Sequence, residues 1–459
     1  MRYSDFTAGQ LQSELEKVRE EYRMWQSRGL SLNMARGKPG LEQLELSKEL
    51  FSVLRFEDCV ADQVDARNYG ELAGMPCARQ YWAEMLDVSP EQCLVGGNSS
   101  LNMMYDLVAK AWTNGLLHSP EPWGKLDHVR FLCPAPGYDR HFRISQSFGM
   151  ELISIPMTAE GPDMEIVEGW VKDPHVKGIW CVPKFSNPDG IIYSEETISR
   201  IAALRPAAPD FVVIWDNAYC VHEILGDYRP IPEILSLCAA NGNADLVYEF
   251  ASTSKMTIPG AGMAVVASSL NNIQYISGCM QAQVISYDKV NQLRQVKFLK
   301  DKKHTLTLMR QHAAILWPRF HVFLSALEEI RPLGIARWTD PQGGYFISLY
   351  TKPGCAKRTV ELCSGAGLVM TGAGAAYPYG VDPQDHHIRI APSYPPLQDI
   401  TLAAQLFCTC LKLAALEKIL QEKINIKKKA FSVNTYRKQT TIICKKYTYI
   451  EKFTLDFFV

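Results

Sequence analysis

Asp245-Leu246-Val247-Tyr248-Glu249-Phe250, followed by Ser252-Thr253-Ser254-Lys255 and Pro259-Gly260-Ala261-Gly262, is the stretch from which the architecture can be read. Its first six residues are a mostly apolar run of strand length bounded by turn-forming residues, the pattern of a buried strand. Lys255 stands just past the C-terminal end of that strand, with hydroxyls three and one residues before it. An amine becomes a useful carbonyl nucleophile only where its surroundings lower its pKa, and the hydroxyls of Ser252 and Ser254 could hold a phosphate nearby. Alone, Ser-x-Ser-Lys before glycines also describes a solvated loop, so the motif needs company.

Two upstream stretches repeat the arrangement. Phe211-Val212-Val213-Ile214-Trp215-Asp216 is an apolar, β-branched run ending in a carboxylate, which puts Asp216 at a strand mouth. There it could pair with a protonated ring nitrogen and keep the ring electron-poor, although an isolated aspartate after a strand reads equally as a cap. Tyr219, three residues on, could hydrogen-bond a phenolic oxygen on the same ring. Gly178-Ile179-Trp180-Cys181-Val182 leads into Pro183-Lys184-Phe185-Ser186-Asn187-Pro188-Asp189-Gly190, where the Asn187 amide could donate to that oxygen; Asn-Pro-x-Gly is also an ordinary turn. The ordered set Asn187, Asp216, Tyr219 and Lys255, each after a strand-like run, suits pyridoxal 5'-phosphate, which offers a carbonyl, a ring nitrogen, a phenolic oxygen and a phosphate. Gly96-Gly97-Asn98-Ser99-Ser100 precedes a helical pattern from Leu101 to Trp112, so Asn98, Ser99 and Ser100 fall at a helix N-terminus where a phosphate is stabilised; the plain alternative is a serine-rich cap.

With these residues in hand, the chain resembles the pyridoxal-phosphate aminotransferases of fold type I, class I/II, and within them a divergent bacterial aspartate aminotransferase subgroup, Ic. The segments that carry the resemblance are Ala35-Arg36-Gly37-Lys38-Pro39, Asn68-Tyr69-Gly70-Glu71-Leu72-Ala73-Gly74, Gly96-Gly97-Asn98-Ser99-Ser100, Pro134-Ala135-Pro136-Gly137-Tyr138-Asp139-Arg140, Ser186-Asn187-Pro188 and Ile388-Arg389-Ile390-Ala391-Pro392-Ser393. They span roughly residues 30 to 415. The resemblance implies an α/β fold, with a large domain built on a mostly parallel seven-stranded sheet sandwiched by helices and a smaller α+β domain. The corresponding divisions are an N-terminal segment, 1–48, packing with the small domain through Leu11, Leu15 and Val18; a cofactor-binding domain, 49–290; a small domain, 291–417; and a tail, 418–459.

It also implies roles: Lys255 as covalent anchor and general base, Tyr69 reaching the phosphate from a neighbouring subunit of a homodimer, and Arg389 holding the substrate's α-carboxylate together with Asn187. The segment Arg36-Gly37-Lys38 lines the substrate pocket in the family, and Arg36, Lys38 and Lys289 are the cations available for a side-chain carboxylate. The implied reaction is ping-pong transfer of an amino group from L-aspartate to 2-oxoglutarate. Alanine or aromatic specificity, lyase or decarboxylase chemistry on the same cofactor, and a non-catalytic sensor or scaffold are the alternatives. Regulators with an aminotransferase-like domain carry a winged helix before it, and about 30 residues ahead of Asn33 leave no room for one. Departures are informative: Met263 stands where many members have a phosphate-binding arginine, and Ala135 where a ring-stacking aromatic is usual, leaving Tyr138 or His141 to stack.

The remaining observations set bounds. At 459 residues and 47% hydrophobic content the chain can bury two cores, and a net charge of −1 points to neither nucleic acid nor a membrane surface. Thirteen cysteines without paired metal-type spacing read as thiols of a reducing cytoplasm, with no metal expected and no run approaching a membrane span. Residues 291 to 330 read as one long helix, and Pro341 to Leu349 as a scaffold strand of the small domain. From Lys418 onward ten Lys or Arg face three Asp or Glu, a composition foreign to the body and the family; truncation after about Leu420 is expected to leave activity intact.

Overall fold

The structure is a computed structural model and describes residues 2–425. Most of the basic tail therefore lies outside the described residues. Eight strands form the central sheet: β1 (Cys93–Val95), β2 (Arg130–Ala135), β3 (Glu151–Thr158), β4 (Gly161–Pro162), β5 (Val176–Cys181), β6 (Val212–Asp216), β7 (Val247–Ser252) and β8 (Ala264–Ala267). Their spatial order is β1-β8-β7-β6-β5-β2-β3-β4. The run β7-β6-β5-β2-β3 is parallel, whereas β8 is antiparallel to both its neighbours. The eighth strand, beyond the seven expected, is β4, a two-residue return of the chain antiparallel to the end of β3, where Gly161 takes a φ of 129°. The inner strands β5, β6 and β7 are buried along their whole length, which explains their continuous apolar spelling.

Helices cover both faces, and each face has its own buried cluster. One contains Trp82, Trp215 and Val247, the other Phe131, Ile214 and Phe250. A third cluster joins helix α1 (Ala8–Ser27) to the small three-stranded sheet of β9 (Ala336–Trp338), β10 (Ile347–Thr351) and β11 (His387–Ile390). Leu11, Leu15 and Val18 of α1 are buried there, and Trp25 donates its indole N–H to Thr409 at 3.2 Å. The helix begins cleanly because Thr7 caps it and Gln10 returns a bond to the Thr7 backbone N–H.

The expected single helix over 291–330 is two. The helix Lys289–Leu299 ends where Lys300 adopts a positive φ of 64°, and Asp301 caps the next helix, Lys302–Ile330, by accepting from His304 N at 2.7 Å. The apolar spacing runs through both, so the break is carried by one backbone conformation and one cap, not by a change of pattern. The final described helix, Leu397–Asn425, extends past the 417 boundary, and Glu422 pairs with Lys352 at 2.9 Å. By length and composition alone it could cross a membrane, contrary to the expectation that no run comes near, but 72% of its most apolar window is buried in the fold.

Candidate active site

Asn187, Asp216 and Lys255 follow three neighbouring parallel strands, β5, β6 and β7, at one end of the sheet. Cys181 of β5 is level with Trp215 of β6, and Asp216 with Phe250 of β7. Open α/β sheets bind ligands at such strand ends. Lys255 closes a short 3-10 turn, Thr253–Lys255, and its Nζ lies 4.7 Å from the centroid of the Tyr219 ring. Burial pushes its ammonium pKa down, and the negative charge of Asp216 opposes that shift.

Asp216 is 4% exposed, and its two oxygens have different fates. Oδ2 is bonded to His141 Nε2 at 3.0 Å; Oδ1 is buried with no partner. A buried carboxylate oxygen left unpaired is costly, and it marks where a donor from outside the chain belongs. His141 is held in turn by stacking on Trp180, with ring centroids 4.4 Å apart and planes 9° from parallel. His141 thus has one face on Trp180 and its Nε2 on Asp216. Tyr138 lies edge-on to His141 at 4.9 Å, with its hydroxyl pushed up to about 12 by burial and then by the charge of Asp216. Tyr219 is fully buried, and its hydroxyl is pushed well above its usual value by burial first and neighbouring groups second.

At the other edge of this space Ser99 precedes the fourteen-residue helix Ser100–Thr113, and its side chain makes no cap bond, which leaves the helix N-terminus unclaimed. Ser252 Oγ donates to Ser254 Oγ at 3.2 Å, and Ser254 Oγ to the carbonyl of Asn98 at 2.8 Å, so the two hydroxyl-bearing segments meet. Gly262 closes the concavity: a Cβ there would lie 2.6 Å from the Asn98 oxygen and 2.7 Å from Ser254 Oγ. Met263 points into the core at 1% exposure and offers this concavity nothing. Asn291 braces the same loop, donating to the carbonyls of Gly262 at 2.9 Å and Ala261 at 3.2 Å.

The small domain supplies the third side. Arg389, on β11, reaches Asn187 Oδ1 at 3.3 Å and Asp139 Oδ1 at 2.9 Å through Nη1, with its guanidinium 5.1 Å from the centroid of the Phe346 ring. Gly37 lies under that ring, where a Cβ would come within 2.5 Å of it, which brings the Arg36-Gly37-Lys38 segment to the site. Lys38 itself sits over the ring of Tyr394 at 3.9 Å, and both Arg36 and Lys38 are exposed. Tyr69 is 81% exposed. Lys289 does not serve as a free cation: 3% exposed, it donates to the carbonyls of Tyr69 at 3.2 Å and Asp65 at 3.5 Å.

Sequence reasoning missed several residues of this site. Tyr345 and Phe346 read as scaffold, yet Tyr345 lies 6.1 Å from Tyr219 and Phe346 backs Arg389. His222 is buried 5.4 Å from Tyr219 with both ring nitrogens unpaired, and burial followed by the charge of Lys255 pushes its pKa well below the usual value, keeping it neutral. The Gly343-Gly344 pair before Tyr345 was the available signal. A Cβ on Gly343 would come within 2.4 Å of the Phe185 ring and 2.5 Å of the His222 carbonyl, so that strand end had to approach the large domain closely.

Residues 6–423 match the family model described as aspartate amino-transferase. The chain is 42% identical over 415 residues to an aspartate aminotransferase of Corynebacterium glutamicum, covering 90% of this chain and 96% of that one. A crystal structure of an aspartate transaminase from the same species superposes with a TM-score of 0.90 at 42% identity, over 91% of this chain and 99% of that one. The fold is shared more widely: the Thermus thermophilus α-aminoadipate aminotransferase, solved with N-(5'-phosphopyridoxyl)-L-leucine, gives a TM-score of 0.68 at 21% identity over 86% of this chain and 95% of that one. A strand-end lysine beside a half-paired buried aspartate, on a fold and sequence shared over nearly their whole length with these enzymes, makes this chain a member of the aspartate aminotransferase family.

Proposed function

We propose that the protein binds pyridoxal 5'-phosphate and exchanges an amino group between L-aspartate and 2-oxoglutarate, giving oxaloacetate and L-glutamate. The observation that carries the cofactor is Asp216 Oδ1, a buried carboxylate oxygen with no partner in the chain. It would receive the ring N–H, with Asn187 and Tyr219 at the phenolic oxygen, Tyr138 against the ring, and Ser99, Ser100, Ser252, Ser254 and the backbone at Asn98 around the phosphate. The unclaimed helix N-terminus supplies the positive field that Met263 cannot. When bound, the cofactor supplies an electron sink that makes the substrate's Cα–H acidic.

This chain's own residues do the rest. Lys255 presents an amine whose burial favours the neutral, nucleophilic form, and once released it takes the proton from the substrate's Cα. Asp216 keeps the ring nitrogen protonated. Arg389 fixes the α-carboxylate with a planar fork, and Phe346 behind it excludes water on that side. Arg36 and Lys38, exposed on the segment that Gly37 packs against Phe346, would meet the side-chain carboxylate. The reading includes a homodimer, supported by an exposed Tyr69 whose hydroxyl makes no hydrogen bond among the described residues and by exposed Phe51, Phe56 and Val60 earlier in the chain. It includes a cytoplasmic setting, supported by every described cysteine being a free thiol. Aspartate should abolish the visible band of the lysine-bound cofactor, and 2-oxoglutarate should restore it. A band that aspartate leaves unchanged would remove the substrate assignment, and no band at all would remove the cofactor.

A further inference from the structure

Arg389 is not idle before a substrate arrives. Its Nη1 is committed to Asp139 Oδ1 at 2.9 Å, and the two side chains are 10% and 22% exposed. Its Nε is buried and bonded to nothing. The guanidinium therefore rests in a pose that leaves one donor unsatisfied, held there by Asp139, its one ionic partner, together with Asn187 Oδ1 at 3.3 Å and the Phe346 ring. Asp139, by contrast, makes no other side-chain bond among the described residues, and it is the first residue of the helix Asp139–Ser147. A negative charge in that first turn is stabilised by the helix dipole, and its partial exposure lets water replace Arg389, so this carboxylate can be released cheaply.

We propose that Asp139 is a built-in counter-carboxylate for Arg389, one that the α-carboxylate of each incoming substrate must displace. The inference rests on the reading of Arg389 as the carboxylate site. Its physical purpose follows from the reaction: donor, acceptor and both products carry the same carboxylate. An internal competitor weakens all of them by one common factor, keeps the buried guanidinium paired between turnovers and speeds product release. The proposal differs from a role in aiming Arg389, because an aiming residue strengthens substrate binding and a competitor weakens it.

The test compares wild-type holoenzyme with Asp139→Asn and Asp139→Glu by calorimetric titration with succinate, a non-reacting dicarboxylate, and by the KM for aspartate and for 2-oxoglutarate. The expected result is binding about three- to tenfold tighter in Asp139→Asn, by the same factor for succinate and both substrates, with Asp139→Glu returning to wild type. Asp139→Ser, which keeps a hydroxyl at the start of the helix, repeats the comparison if the Asn variant does not fold. Unchanged or weaker succinate binding in Asp139→Asn overturns the proposal while leaving the carboxylate site standing. Failure of all these proteins to bind succinate overturns the Arg389 reading and the proposal with it.

Discussion

Replacing His141 by Phe isolates the most consequential hydrogen bond in the large domain. The ring keeps its stacking partner, Trp180, at 4.4 Å, but the bond from Nε2 to Asp216 Oδ2 is lost, and neither carboxylate oxygen then has a partner inside the fold. A hydrogen bond to a charged group contributes about 1.5–3 kcal/mol, and at about 1.4 kcal/mol per decade the cofactor affinity that depends on it should fall about 10- to 150-fold. The direction follows from electrostatics: a buried carboxylate without partners takes up a proton, and a neutral acid forms no ion pair with the ring nitrogen. The assay is titration of cofactor-free protein with pyridoxal phosphate, followed by absorbance, beside a circular-dichroism melt to confirm the fold. An affinity within twofold of wild type, in a protein that melts normally, would refute the claim that His141 sustains Asp216.

Lys255→Ala should still bind the cofactor but lose turnover by at least about 10²–10⁴-fold, the range for removal of a general base; wild-type transaminase rates would defeat the assignment. Gly37→Ala should raise KM for both substrates with little change in melting temperature, because its Cβ would come within 2.5 Å of the Phe346 ring that backs Arg389; steady-state kinetics at several substrate concentrations checks this. Leu11→Ala, at a fully buried position on α1, should cost about 2–5 kcal/mol in urea denaturation by opening a cavity under the small domain. Glu249 is pushed up to about 8, chiefly by burial, so the folded state holds a proton that the unfolded state releases near the ordinary carboxylate value of 4.5. Its contribution to stability therefore falls by about 1.4 kcal/mol per pH unit between those values and levels off above pH 8, so Glu249→Gln should gain on wild type in denaturation midpoint as pH rises from 5.5 to 8.

The sequence disclosed the cofactor side of the site more fully than the substrate side, and the reason is physical. Asp216 ends a buried strand, and Asn187 and Lys255 follow closely on two others; burial on both faces writes itself as an uninterrupted apolar run with polar residues after it. His141 was legible as an aromatic near the ring but not as the partner of Asp216, because that bond joins positions 75 residues apart across two elements. Asp139 stood inside a segment that carries the resemblance but gave no sign of a role at Arg389: an aspartate in the first turn of a helix is ordinary, and the contact exists only once the two sheets are assembled. The break at Lys300 was hidden for the opposite reason, since a lysine with positive φ leaves hydrophobic spacing intact on either side.

The sheet also serves as a ruler. Neighbouring strands stand about 4.8 Å apart, so the carriers of Asn187, Asp216 and Lys255 are spaced in whole units of a hydrogen-bonded lattice, and none of those gaps can stretch without breaking a ladder. Arg389 is measured on a separate lattice, the three strands of the small sheet, and no shared ladder joins the two among the described residues; side chains and a few loop backbone bonds, such as Ile224 N–H to the Gln342 carbonyl and Gly344 N–H to the His222 carbonyl, hold them in register. Cofactor grip and substrate grip should therefore soften at different temperatures, with KM rising on gentle warming well before pyridoxal phosphate is released.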